Sequence, residues 1–247
     1  MKIIPLSEGT FTIDHSKLFI PFNPDADDLQ QRNRGSLLVE IQPFVVITSK
    51  DILLLDTGLG FVNENGTLQI HQHLIDHGIN PPDITKVLMS HLHKDHAGGI
   101  SMKDKILDRY FLSFPSATYY VQRQELDFAL EKGLPSYIPE EIEILRDADN
   151  IVFLEGSGEI DGYISYELTG AHSPYHQVFT IREDNEIIFF GADDAPQLGQ
   201  MKNKFIAKYD YDGKKCMELR QEWWKKGQED HWTFLFYHDV KNPVWKF

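Results

Sequence analysis

Residues 91–96, which read His-Leu-His-Lys-Asp-His, constrain the fold more than any other segment of the chain. The segment directly follows a predicted apolar strand, and two glycines behind it let the backbone turn tightly. Side chains two residues apart on an extended segment point the same way, so His91 and His93 can reach a common ion. Asp95 and His96, on the following turn, can reach a neighbouring ion. Burying four ionisable groups side by side requires a counter-charge, which predicts bound metal.

The ligand types that the chain offers favour zinc. The sequence has 11 histidines and a single cysteine, Cys216. One cysteine cannot form an internal disulfide or a cysteine-based structural zinc site. Imidazole and carboxylate ligands without thiolate suit zinc first, with iron, manganese or cobalt as alternatives.

The net charge and the hydropathy of the chain limit which binding partners and which cell compartment we expect. The formal net charge of −14 repels phosphate backbones and anionic membrane surfaces, so we expect no nucleic-acid and no membrane partner. No stretch approaches the roughly 18 consecutive apolar residues of a membrane span, and the first residues lack the apolar region of a secretory signal. We therefore expect a cytoplasmic protein that acts on a small molecule.

The distribution of apolar residues predicts one α/β domain over residues 1–247, since no repeat or linker divides the chain. A polar loop over residues 21–35 is interpreted as a solvated surface segment. Strands separated by helices in both halves predict two sheets packed between helical layers. Strands are predicted at 9–14, 36–41, 44–48, 51–56, 86–90, 118–121, 151–154, 164–168, 178–181, 187–190 and 233–237, and helices at 68–77, 123–132 and within 200–228.

Five motifs, in order, make the sequence resemble the metallo-β-lactamase-fold hydrolase superfamily. They are Asp56-Thr57-Gly58 after an apolar strand, the cluster at His91–His96, the turn Gly170-Ala171-His172-Ser173-Pro174-Tyr175-His176, the strand end Phe190-Gly191-Ala192-Asp193, and Tyr237-His238-Asp239. The resemblance implies the fold of that superfamily, a four-layer αβ/βα sandwich of two mixed β-sheets flanked by helices.

The resemblance also implies two divalent metal ions. His91, His93 and His172 would bind one ion, Asp95, His96 and His238 would bind the second, and Asp193 would bridge the two. A hydroxide that bridges the ions would attack the substrate. Asp95 would be the catalytic residue that hands a proton to the leaving group.

Two of these assignments have neighbours that could replace them. His176 follows His172 by four residues, and Asp194 follows Asp193 directly. We favour His172 and Asp193 as ligands, with His176 orienting a ligand or a loop. Asp56 either accepts a hydrogen bond from a ligand imidazole or is a turn aspartate.

Within the superfamily the sequence is similar to the lactonase and organophosphate-hydrolase group, through the segment from Gly9 to Pro24. Pro196 stands where that group often has a tyrosine that assists the substrate carbonyl, which leaves the type of ester open. We expect a dinuclear metal-dependent hydrolase of a small-molecule ester, lactone or phosphoester. The alternative is an oxygen- or sulfur-linked redox enzyme, or a non-catalytic metal-binding sensor.

The segment between Asp193 and His238 is rich in aromatic and basic side chains. The aromatic residues are Phe205, Tyr209, Tyr211, Trp223, Trp224 and Trp232, and the lysines are Lys202, Lys204, Lys208, Lys214 and Lys215. The aromatic residues either wall the substrate pocket or belong to the core. An aromatic wall predicts a neutral substrate with an apolar portion. The lysines argue for an anionic substrate, but lysines are usually exposed, so we favour the neutral one.

Overall fold

Strands and short helices make up the computed structural model, which describes residues 1–247. The strands are β1 (Lys2–Pro5), β2 (Gly9–Ile13), β3 (Phe19–Pro21), β4 (Leu37–Ile41), β5 (Phe44–Ile47), β6 (Ile52–Leu55), β7 (Lys86–Leu88), β8 (Ser101–Asp104), β9 (Arg109–Leu112), β10 (Thr118–Gln122), β11 (Ile151–Leu154), β12 (Gly158–Ile160), β13 (Ile164–Leu168), β14 (Gln177–Glu183), β15 (Glu186–Phe190), β16 (Thr233–Leu235) and β17 (Val244–Lys246). The α-helices are α1 (Gln69–Asp76), α2 (Lys94–Ala97), α3 (Arg123–Lys132), α4 (Pro139–Ile142), α5 (Leu198–Lys202) and α6 (Gly213–Glu229), with 3-10 turns at Pro81–Asp83, Glu143–Arg146 and Ala192–Asp194. None of the helices combines the length and the apolar character that crossing a membrane requires.

Two six-stranded mixed sheets form the centre of the molecule. The first has the order β1-β5-β6-β7-β10-β11, in which β6, β7, β10 and β11 run parallel. The second has the order β12-β13-β14-β15-β16-β17, in which β15 and β16 form the parallel pair. Because parallel neighbours end at the same edge of a sheet, the loops after β6 and β7 lie side by side, as do those after β15 and β16.

Side chains along the central strands point alternately to the two faces of each sheet, and this alternation produces the layers of the fold. Leu53 and Leu55 of β6 face the second sheet, whereas Leu54 faces the opposite side, where α1 and α3 pack. In the second sheet Phe190 belongs to the core between the sheets, and Phe189 packs against Trp223 of α6. Three apolar clusters therefore fill the three interfaces of four layers. The predicted αβ/βα sandwich is confirmed.

The helical pattern predicted within 200–228 is wrong over residues 203–212, which form a loop between α5 and α6. A cap explains where the second helix begins, since the side chain of Asp212 accepts a hydrogen bond from the backbone N–H of Lys215 at 3.0 Å. The loop over residues 21–35 is mostly exposed, as predicted, but Arg32 and Gly35 also line the central cavity described below. The assignment of a single domain stays a prediction.

Glu8 is a buried carboxyl group beneath the loop that follows β6. Its Oε2 accepts a hydrogen bond from the backbone N–H of Leu59 at 2.6 Å, and its Oε1 has no partner. Burial raises the pKa of Glu8 to about 7, although the Leu59 N–H opposes this shift. The native state therefore binds the Glu8 proton more tightly than the unfolded chain does.

We expect Glu8→Gln to gain stability over the wild type as the pH rises. Protonated Glu8 contributes to the free energy of unfolding of the wild type. This contribution is fully present below the unfolded pKa of about 4.5 and is lost as the pH rises through about 7. The difference in the free energy of unfolding between variant and wild type should shift by about 2–3 kcal/mol from pH 5 to pH 8. Urea unfolding at both pH values measures it, with the exposed Glu131→Gln as control. A difference independent of pH would contradict the prediction.

Candidate metal centre

The residues predicted to form a site follow the ends of strands or lie in a turn between two strands, all on one side of the molecule. Asp56 follows β6 and residues 91–96 follow β7, while Asp193 follows β15 and His238 follows β16. The remaining predicted ligand, His172, lies in the turn between β13 and β14. Each sheet thus contributes the carboxyl ends of its parallel strands. The fold brings together all seven residues that the sequence analysis proposed as ligands.

The first group of potential ligand atoms consists of His91, His93, His172 and Asp193, whose donor atoms lie within 4.8 Å of one another. His91 Nε2 is 2.9 Å from His93 Nδ1, which is 3.2 Å from His172 Nε2. In tetrahedral zinc sites, Zn–N bonds of about 2.0–2.1 Å separate the nitrogens by about 3.3 Å. The spacing of the three ring nitrogens therefore fits a shared metal ion.

The second group consists of Asp95, His96 and His238. Asp95 Oδ2 lies 3.7 Å from His96 Nε2 and 3.6 Å from His238 Nε2. Asp193 stands between the groups. Its Oδ1 is 3.1 Å from His96 Nε2 and 3.0 Å from His238 Nε2. Its Oδ2 is 3.1 Å from His172 Nε2, so the carboxylate presents one oxygen to each group.

Hydrogen bonds outside the two groups set the tautomers of three histidines. His96 Nδ1 donates to Asp56 Oδ2 at 2.8 Å, and His238 Nδ1 donates to the carbonyl oxygen of Glu40 at 2.7 Å. His172 Nδ1 donates to Asp210 Oδ1 at 2.9 Å. Because these oxygens only accept, each ring carries a proton on Nδ1, and this hydrogen bond directs Nε2 towards the site.

Asp56 is held rigidly for its contact with His96. It is fully buried, its backbone φ is +55°, and its carboxylate accepts hydrogen bonds from the backbone N–H and the hydroxyl of Ser90 at 2.7 and 2.6 Å. Aspartate is among the few residues other than glycine that tolerate this left-handed conformation. Of the two interpretations of Asp56, the structure supports the hydrogen bond to an imidazole of the site.

Asp210 is the residue that sequence reasoning missed. It lies in the loop 203–212, which the sequence pattern had placed in a helix, and its side chain is 1% exposed. The loop folds back over the β13–β14 turn because the backbone N–H groups of Tyr211 and Asp212 donate to the carbonyls of His172 and Ala171, at 3.0 and 2.8 Å. No motif marks an aspartate whose partner is 38 residues away.

The alternatives His176 and Asp194 pair with each other behind the site. His176 Nδ1 is 3.0 Å from Asp194 Oδ2, and both side chains are fully buried. Asp194 also accepts a hydrogen bond from the backbone N–H of His172 at 2.8 Å. Burial would raise the pKa of Asp194, but His176 beside it holds that pKa below its usual value. This pair therefore supports the turn that carries His172 and lies outside both ligand groups.

The electrostatics of the site call for a cation. His96 Nε2 and Asp193 Oδ1 are buried and have no hydrogen-bond partner. Burial and the neighbouring histidines hold the pKa values of His91 and His93 well below the usual value, which keeps both rings neutral. Burial favours the neutral rings of His96, His172 and His238 as well, but Asp193 raises the pKa of all three above the usual value. Imidazoles and carboxylates that converge in this way are the donor set of a divalent metal site, in which the ion would take the place of these protons.

A cavity of about 660 Å³ opens over the two groups. His93, Asp95 and Asp193 lie on its wall, together with Pro196 and two aromatic residues of the loop 203–212, Phe205 and Tyr209. The tryptophans of the same region lie elsewhere. Trp223 and Trp232 are buried in the cluster beneath the second sheet, and Trp224 packs against that cluster. The aromatic residues that sequence analysis left undecided therefore divide between the cavity and the core, except Tyr211, which is exposed and lies in neither.

Both the sequence and the fold are similar to those of known proteins. A family model described as the metallo-beta-lactamase superfamily matches residues 40–238. The chain is 32% identical over 118 residues to the N-acyl homoserine lactonase AttM of Agrobacterium fabrum, a match that covers 44% of this chain and only 40% of that relative. It is 26% identical over 203 residues to the N-acyl homoserine lactonase of Bacillus thuringiensis, which covers 74% of this chain and 71% of the relative.

Solved structures share the fold over nearly the whole chain. A probable metal-dependent hydrolase from Staphylococcus aureus superposes with a TM-score of 0.79 at 20% identity, covering 99% of this chain and 91% of that one. The dizinc quorum-quenching lactonase AidC, in complex with a product, gives a TM-score of 0.69 at 20% identity and covers 98% and 88% of the two chains. At these identities the similarity shows a common architecture.

Proposed function

The chain belongs to the metallo-β-lactamase superfamily, and from this premise we propose that it is a metal-dependent hydrolase that cleaves an ester or lactone bond in a small molecule. The observation that carries the proposal is the pair of His/Asp groups that meet at Asp193 on the wall of an open cavity. Relatives named as N-acyl homoserine lactonases, which match the chain over part of their length, support the choice of bond.

We assign the two groups as two metal sites. His91, His93 and His172 would hold one ion, Asp95, His96 and His238 the other, and Asp193 both. Zinc suits this donor set best. When bound, the two ions supply Lewis-acid polarisation of a substrate oxygen and lower the pKa of water towards neutrality.

The side chains on the cavity wall supply the remaining chemistry. Asp95 faces the cavity with a carboxylate that can accept a proton from the attacking water and pass it to the leaving oxygen as the C–O bond breaks. Burial raises the pKa of Tyr209 to about 12, so its phenol stays protonated at neutral pH. Tyr209 therefore offers the cavity an O–H donor, at a wall where Pro196 offers none.

The direct test combines metal analysis with a substrate screen. Protein purified without chelator should contain about two equivalents of metal per chain, and it should hydrolyse lactones or carboxylic esters faster than phosphodiesters. Removal of metal should abolish this activity, and added zinc should restore it. Absence of transition metal, or full activity after metal removal, would overturn the proposal. One iron per chain with visible absorbance would favour the redox alternative.

Asp210→Ala should weaken metal binding through His172. Loss of the carboxylate frees the imidazole to rotate and to change tautomer, and such losses reduce metal affinity by about 10- to 100-fold. Competition with a chromophoric chelator measures the affinity directly. Asp210→Asn, whose amide oxygen still accepts from Nδ1, should recover most of it, and the exposed Asp149→Ala serves as control. Equal affinities for Asp210→Ala and wild type would refute the positioning role.

A further inference from the structure

Four basic side chains line the cavity that holds the proposed metal sites. They are Lys17, Arg32, Lys94 and Lys208, and they come from three separate parts of the chain. The chain as a whole has a net charge of −14, with 24 basic and 38 acidic residues. An average region of its surface is therefore expected to carry negative charge. The concentration of cations around one cavity runs against the composition of the protein.

None of these four cations is neutralised within the chain. The lysine and arginine side chains that do form ion pairs lie elsewhere, and they are Lys86, Lys103, Arg123, Lys214, Lys225 and Lys246. The four cations of the cavity therefore share one wall without an ion-pair partner, and their common location is what distinguishes them from the other unpaired lysines and arginines of the chain.

The carboxylates of the cavity wall are already engaged. Apart from Asp95 and Asp193, which belong to the proposed metal sites, the wall contains one carboxylate, Asp14. Asp14 accepts hydrogen bonds from the backbone and hydroxyl of Ser16 and from the side chain of Asn33, at 2.9, 2.6 and 3.1 Å. Its other charged contact is His15, whose Nδ1 is 4.0 Å from Oδ1, and it forms no ion pair with any of the four cations.

Two of the four cations are half-buried and the other two are exposed. Lys17 and Lys94 are half-buried, and the Nζ of Lys94 lies 5.8 Å from the ring centroid of Phe19, another residue of the cavity wall. Lys94 also stands between two proposed ligands, His93 and Asp95, and its backbone N–H donates to the carbonyl of Ser136 at 2.9 Å. Lys94 therefore presents its charge to the same cavity as the proposed metal ligands His93 and Asp95.

We propose that the substrate carries an anionic oxygen group, a carboxylate or a phosphate, in addition to its scissile ester or lactone bond, and that Lys17, Arg32, Lys94 and Lys208 bind this group. The inference rests on the proposed hydrolase function. It reverses the sequence-based expectation of a neutral substrate, because most of the aromatic residues behind that expectation lie in the core or away from the cavity.

Matched esters test the proposal. Mono-4-nitrophenyl adipate and 4-nitrophenyl hexanoate share the scissile bond and the chain length and differ in a terminal carboxylate. We expect kcat/KM to be about tenfold higher for the adipate in low salt, and the preference to shrink towards unity in 0.5 M NaCl, because salt screens exposed charges. Equal kcat/KM values for the two esters would overturn the proposal and leave the hydrolase function standing.

Single lysine substitutions show which side chains cause the preference for the adipate ester. Lys17→Gln, Lys94→Gln and Lys208→Gln should each reduce the adipate-to-hexanoate ratio by about two- to fivefold, the range for partly exposed charge pairs. Lys204→Gln and Lys105→Gln remove the same charge from exposed lysines outside the cavity wall and should leave the ratio unchanged. A preference for adipate that no lysine variant alters would assign the carboxylate to the metal ions and contradict the proposal.

A binding measurement separates this proposal from the hydrolase function. The amides N-(4-nitrophenyl)adipamic acid and N-(4-nitrophenyl)hexanamide resist hydrolysis, and calorimetry reports their affinities for the metal-loaded protein. Tighter, salt-sensitive binding of the adipamic acid that weakens in Lys94→Gln would support the anion site even if no ester were cleaved. Competition by inorganic phosphate or by acetate at equal ionic strength would show which anion the site prefers. Equal binding of the two amides would overturn the proposal.

Discussion

Asp193→Ala should lose more than about 1000-fold in kcat/KM, the largest effect expected for any single substitution in this protein. The carboxylate presents Oδ1 to His96 and His238 and Oδ2 to His172, so one substitution removes an anionic partner from both ligand groups. Buried imidazoles without a counter-charge hold a divalent ion poorly. We therefore expect the variant to bind less than two equivalents of metal.

Metal analysis and steady-state kinetics on the same preparation make this measurement. Asp127→Ala is the matched control, since Asp127 is an exposed aspartate on α3, away from the cavity. Circular dichroism and thermal unfolding establish that both variants are folded. Two equivalents of metal together with wild-type kcat/KM in Asp193→Ala would remove Asp193 from the site.

Asp95→Asn should lower kcat by about 30- to 1000-fold, or about 2–4 kcal/mol of transition-state stabilisation. The substitution changes two properties, because Asp95 lies within 3.7 Å of both His96 Nε2 and His238 Nε2 and also faces the cavity. An amide oxygen can still act as a ligand, but an amide does not carry a proton between water and the leaving group.

The leaving group separates the two roles of Asp95. 4-Nitrophenolate is a stable anion, so an ester that releases it needs little proton transfer to its leaving oxygen. An alkyl ester or lactone releases an alkoxide, which must be protonated as the C–O bond breaks. With metal content held equal to that of the wild type, Asp95→Asn should therefore slow alkyl esters much more than nitrophenyl esters. An equal loss on both substrates would leave Asp95 as a ligand without a role in proton transfer.

The prediction of substrate class shows where sequence reasoning reached its limit. Residues 200–228 have a helical apolar pattern, and that pattern alone gave no reason to separate Phe205 and Tyr209 from the tryptophans. The break at 203–212 turns the first two towards the cavity and leaves Trp223 in the core. Periodicity shows which residues are apolar, but not whether they pack in the core or line an open cavity.

The sequence by itself determined the layers of the fold and the identity of the converging residues, through two different signals. Strand alternation and the order of strands and helices predicted two sheets between helical layers, because apolar periodicity is a local property. The seven converging residues were identified through the resemblance of five motifs to a known superfamily, since spacing alone brings together only the cluster at 91–96. Only the tertiary structure decided the surroundings of the site. Asp210 reaches His172, and Lys17 and Arg32 reach the cavity, through loops whose paths are set by contacts between distant segments. Such contacts leave no periodic pattern in the chain, so no local rule predicts them.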